Sequence, residues 1–110
     1  MTDARTERIR VLNDTLRTLL KGGKIMMTAG VQALGRDMVA VALTRTQVFD
    51  EFTADNDPHG EHDFGKFELD GTEFFFKIDY YDERMEGGSE DPSDPAKTTR
   101  VLTLMLASEY

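Results

Sequence analysis

A chain of 110 residues with 21 acidic and 13 basic side chains has the size of one domain and carries a net charge of −8. It has no cysteine, which excludes disulfides, thiolate metal sites and a cysteine nucleophile. No apolar run approaches the roughly 20 residues that cross a bilayer, and the opening Met1-Thr2-Asp3-Ala4-Arg5 lacks the apolar core of a secretory signal. A cytoplasmic, single-domain protein is expected over 1–110.

The first periodic stretch runs from about Asp3 to Leu20. Ile9, Leu12, Leu16, Leu19 and Leu20 recur at helical spacing, with Arg5, Arg8 and Arg17 off that stripe. Thr2 or Asp3 is the expected N-cap, and Gly22-Gly23 the stop. Lys24-Ile25-Met26-Met27-Thr28 has the length of a short buried strand, and Ala29-Gly30 then allows a turn. A second helix is predicted over Arg36–Thr46, with Leu34, Met38, Val41, Ala42, Val48, Phe49 and Phe52 near one face. Arg45 interrupts that face, and its aliphatic stem can still cover apolar surface.

Residues 53–61 crowd Asp, Asn, Pro and Gly and read as a loop. Two aromatic-rich runs follow, 64–69 and 74–80, separated by Asp70-Gly71, a strong hairpin signal. Residues 85–96 form a second long acidic loop. Thr99–Ala107 is apolar on both faces, as a central or an interface strand would be. The order predicts an α+β fold: a mostly antiparallel sheet of about four strands with two helices on one face.

Charge is unevenly distributed. Residues 1–49 hold four acids and eight bases, whereas residues 50–94 hold sixteen acids and three bases. A field of one sign attracts a basic partner or cations and repels nucleic acid, although excess charge also serves solubility. Asp79, Tyr81, Asp82, Glu83, Glu86, Glu90 and Asp91 are the candidate contact set, since aromatic rings supply rigid contact area and carboxylates supply steering.

Asp55, Asp57, His59, His62 and Asp63 gather hard oxygen donors and both histidines in one loop, the residue types a divalent metal needs. The loop is not an EF-hand: Lys66 stands where the bidentate glutamate belongs, and a strand follows instead of a helix. The same stretch reads more readily as Asx turns, with Pro58 fixing the backbone and His62 or Asp63 hydrogen-bonding loop amides. His62 could serve as a general base oriented by Asp63 or Asp57. No nucleophile elbow and no Gly-rich phosphate cradle accompanies it.

The stretches Asp55–Gly65, Lys77-Ile78-Asp79-Tyr80-Tyr81-Asp82 and Thr99–Tyr110 resemble a family of small bacterial proteins known only as a domain of unknown function. The resemblance covers nearly the whole chain. It implies frequent occurrence in alphaproteobacteria and on plasmids and other mobile elements, and brings no catalytic residue.

Two functions are therefore expected. The first is a non-enzymatic acidic interaction module with a basic protein partner, an inhibitor that mimics nucleic acid and blocks a nucleic-acid-binding enzyme. The second is a metal-binding or metal-dependent hydrolytic protein using the Asp/His loop. No other cofactor, no membrane and no direct nucleic-acid contact is expected. A homodimer through the C-terminal strand is a further possibility.

Overall fold

The computed structural model describes residues 3–110. Its elements are α1 (Ala4–Leu19), β1 (Gly23–Met27), α2 (Ala29–Gln32), α3 (Arg36–Val48), β2 (Phe64–Leu69), β3 (Thr72–Tyr81) and β4 (Thr99–Leu106), with 3-10 turns at Pro95–Lys97 and Ala107–Glu109. The strands form one sheet in the order β1-β4-β3-β2. Antiparallel pairing joins β2 to β3 and β3 to β4, and β1 lies parallel to β4. The helices cover one face, so the α+β arrangement read from the sequence holds.

Asp3 caps α1, its carboxylate accepting from the Thr6 amide at 2.7 Å. Thr2 lies outside the described residues. The helix ends earlier than the glycine pair suggests: Leu20 takes the left-handed C-cap conformation, and Gly23 already belongs to β1. The buried stripe of α1 also differs from the leucine pattern. It is Ile9, Asn13, Leu16 and Arg17, while Leu19 and Leu20 are exposed. Two polar residues continue the helical spacing into the core because each finds hydrogen-bond partners there.

Thr28 caps the short α2 where only a turn was expected, and α3 runs on to Val48. In α3, Ala42 and Thr46 are buried while Val41 and Val48 face solvent, a narrower apolar stripe than the hydrophobic residues alone imply. Arg45 lies over the Phe67 ring, 5.4 Å from its centroid, in keeping with a long side chain covering apolar surface.

Asp70-Gly71 closes the β2–β3 hairpin with Leu69 opposite Thr72, and both turn residues have positive φ, as a two-residue hairpin loop requires. The pleat sends Phe67, Phe74, Phe76, Ile78, Leu102 and Leu104 toward Leu16, Val31, Ala42 and Phe49, which makes the core. Gly65 permits this packing: a Cβ there would stand 2.3 Å from the Phe76 ring and 2.7 Å from Phe49. Each fully buried Phe or Leu is worth about 2 kcal/mol.

The C-terminal strand is interior, with β1 on one edge and β3 on the other. It therefore offers no free edge for the homodimer expected through it. The free edges belong to β1 and β2.

Candidate functional site

The three sequence stretches behind the family resemblance meet in space. Glu61 comes from the loop before β2, Tyr80 from β3 and Arg100 from β4, and Asn13 of α1 joins them. Asn13 is fully buried, and its Nδ2 donates to the Glu61 carbonyl at 2.9 Å and to the Tyr80 hydroxyl at 2.7 Å. The Tyr80 hydroxyl donates to the Glu61 carboxylate at 2.7 Å, and Arg100 Nε donates to Asn13 Oδ1 at 2.9 Å. Arg100 is 1 % exposed, donates also to the Pro92 carbonyl, and stacks over the Tyr80 ring.

Burial, then the hydrogen bond to Glu61, pushes the Tyr80 phenol well above its usual pKa, so it remains a donor. Burial lowers the pKa of Arg100, partly countered by Tyr80 and Glu61. Among the described residues no carboxylate forms an ion pair with Arg100; neutral acceptors and the ring face hold its charge. These bonds run between protein groups and tie both long loops to α1. The cluster fastens the loops to the helix and the sheet.

A second polar group lies along α1. Arg17 Nη1 donates to the carbonyls of Thr46, Gln47 and Phe49 at 3.2, 3.2 and 2.7 Å, satisfying the C-terminus of α3. Its Nη2 donates to Asp14 at 3.1 Å. The Asp14 carboxylate also meets His62 Nδ1 at 2.8 Å, so the group that orients His62 is Asp14 of α1, not Asp63. Asp57 stands on the opposite side, 3.8 Å from Nε2. The His62 ring lies flat on Phe52 with centroids 3.8 Å apart.

The expected metal set is dispersed in its duties. Asp55 and His59 are exposed, whereas Asp57 is buried and accepts from the His62 amide at 3.1 Å. Asn56 ties the loop to the Thr53 amide and to the Glu51 carbonyl, both at 2.8 Å. Asp63 has its pKa raised, chiefly by burial and then by Glu61. Among the described residues no three His, Asp or Glu side chains form a group able to hold a metal ion. The loop is built on internal hydrogen bonds of the Asx kind.

The expected contact set divides similarly. Asp79 pairs with Lys77 at 3.0 Å, Glu90 with Lys97 at 3.4 Å and Asp91 with Arg5 at 3.3 Å. Hydrogen bonds from Ser93 hold Asp91 below the ordinary aspartate pKa. Asp82 accepts from the amides of Arg84 and Glu86 and so builds the turn after β3. Glu83 and Glu86 are exposed and, among the described residues, in no ion pair.

Tyr81 belongs to a larger surface: the sheet face that no helix covers. By strand alternation this face carries Lys24 and Met26 from β1, Val101, Thr103 and Met105 from β4, Phe75, Lys77, Asp79 and Tyr81 from β3, and Phe64, Lys66 and Glu68 from β2. Met26 is 53 % exposed, and Met85 borders it at 39 %. A groove beside Tyr81 is lined by Thr28, Lys77, Thr103, Met105 and Tyr110.

Glu109 fastens the chain end across this face. Its carboxylate accepts from the Thr28 hydroxyl at 2.6 Å, the Leu106 amide at 2.9 Å and the Gly30 amide at 3.1 Å. A Cβ at Gly30 would stand 2.7 Å from that carboxylate. Tyr110 then sets its ring edge-on to Phe75 and Phe64, at 5.3 and 5.9 Å.

Reading the sequence misses Asn13, Asp14, Arg17 and Arg100. The signal available was the spacing of Asn13 and Arg17 from Ile9 and Leu16.

A family model described as Protein of unknown function (DUF3768) matches residues 27–109. The match takes in α2, α3, β2, β3, β4 and both long loops, and leaves α1 and most of β1 outside. No curated protein and no solved structure matches the chain. With more than half of its length matched by that model, the chain belongs to the DUF3768 family.

Proposed function

We propose that the protein is a non-enzymatic binding module that docks a basic protein partner on the uncovered face of its sheet. One observation carries this reading: Phe64, Phe75, Tyr81 and Met26 are partly or largely exposed on that face with Met85 at its border, and carboxylates that form no ion pair among the described residues stand at both ends of β3. Glu68, Asp70 and Glu73 lie at the hairpin end, and Glu83 and Glu86 at the other. Aromatic and Met side chains are enriched at the centres of protein interfaces, and rim charges set the encounter rate.

Lys24 and Lys66 on the edge strands and Lys77 on β3 share the face, so it is mixed in charge while the two ends of β3 are negative. A strip of carboxylates on a chain of net charge −8 suits a cleft that otherwise receives phosphates. The partner class we infer is a basic nucleic-acid-binding enzyme, with this protein its inhibitor. Of the seven contact residues read from the sequence, Tyr81, Glu83 and Glu86 remain available, and Phe75 joins them.

The test is capture from a cell lysate on immobilised protein. The expected outcome is retention of a basic protein that is lost at about 0.5 M salt. Either Phe75→Ala or the pair Glu83→Lys/Glu86→Lys should lower that retention by about tenfold or more. Capture indifferent to salt and to both variants would contradict the proposal.

A further inference from the structure

We propose that the free edge of β2 pairs antiparallel with the same edge of a second copy, in the register that sets Lys66 opposite Glu68 of the other copy. β2 is bonded on one side only, to β3. The Ile78 amide donates to the Asp63 carbonyl at 2.8 Å, which marks Asp63 and Ile78 as a hydrogen-bonded pair. Such pairs recur at every second residue of an antiparallel ladder. Gly65, Phe67 and Leu69 therefore aim their backbone groups at β3, and Phe64, Lys66 and Glu68 aim theirs at the open edge.

These three residues also send their side chains to the uncovered sheet face. In a two-fold antiparallel pairing, outward residues must oppose outward residues. Two registers set Lys66 against Lys66 or Glu68 against Glu68, and like charges directly opposite repel. The register between them sets Lys66 opposite Glu68 and, by symmetry, Glu68 opposite Lys66. It gives two opposite-charge pairs and places Phe67 beside Phe67 on the helix-covered face.

Glu68 has reason to take such a partner. Within its own sheet it stands directly opposite Glu73, a like-charge pair, and both are exposed. A lysine from a second copy supplies the counter-charge that the monomer withholds. An edge lysine alone deters strand pairing, but alternating Lys66 and Glu68 makes this edge complementary to itself in one register. The product is a continuous sheet twice as wide, with both uncovered faces on the same side.

Sedimentation equilibrium across micromolar to millimolar protein tests this. The expected result is a reversible dimer. Lys66→Glu and Glu68→Lys should each weaken it about tenfold or more, because each substitution sets like charges opposite one another twice. The double variant, K66E with E68K, should restore dimerisation to within about threefold, a rescue that misfolding could not mimic. A monomer at every concentration, single variants without effect, or a double variant that fails to restore the dimer would each overturn the pairing.

Discussion

Asn13 is the residue through which α1 holds the loop before β2 and the two central strands. One amide group supplies a donor shared between Glu61 and Tyr80 and an acceptor for Arg100, so it serves three other elements from α1. Asn13→Ala takes away the acceptor of Arg100 Nε and the donor to the Glu61 carbonyl, and leaves the Tyr80 hydroxyl only its bond to the Glu61 carboxylate. The expected loss is about 3 kcal/mol in urea unfolding, since each orphaned buried group costs roughly 1–3 kcal/mol. Asp63 predicts the opposite sign. Its pKa is raised in the fold by burial, so its contribution favours folding below the ordinary aspartate range and is lost as the pH rises through the raised value. Asp63→Asn should therefore raise the melting temperature at neutral pH, and the gain should shrink to nothing in acid. These residues were poorly legible in the sequence for a physical reason. Hydropathy marks Leu19 and Leu20 as core and Asn13 and Arg17 as surface, whereas burial follows the angle around α1 and the presence of partners.

At the scale of elements, legibility followed how local the determinant is. The hairpin was readable because Asp70 and Gly71 suffice to set its turn, and α1 because its cap and period lie within the helix. The short α2 was not, because Glu109, from the far end of the chain, bonds to Thr28 and to the Gly30 amide. The hydrogen bond from Thr28, then that from the Leu106 amide, hold Glu109 below the ordinary glutamate pKa. Its stabilisation is therefore present above that ordinary range and is lost as the pH falls through the lowered value. Glu109→Gln should melt lower than the parent at pH 7, and the difference should vanish in acid. In the sheet, Gly65→Ala forces a methyl group into the Phe76 and Phe49 rings and should cost about 2–3 kcal/mol in the same unfolding measurement.

For the whole molecule, the sequence conveyed the class of fold and the imbalance of charge but not where either would lead. Strand order depends on β1 crossing to lie parallel beside β4, a long-range pairing with no local signature. In the acidic middle segment Arg5 takes up Asp91, Lys77 takes up Asp79 and Lys97 takes up Glu90, and among the described residues Glu68, Asp70 and Glu73 at one end of β3 and Glu83 and Glu86 at the other are in no ion pair. Between them lies a sheet face without a helical cover, and there the proposed function resides. Site-specific photo-crosslinking in cells tests it most directly, with the probe at Phe75 on the uncovered face and at Val41 on the exposed side of α3. The account predicts an adduct with a basic protein from position 75 and none from position 41; adducts from position 41 alone, or from neither, would contradict it.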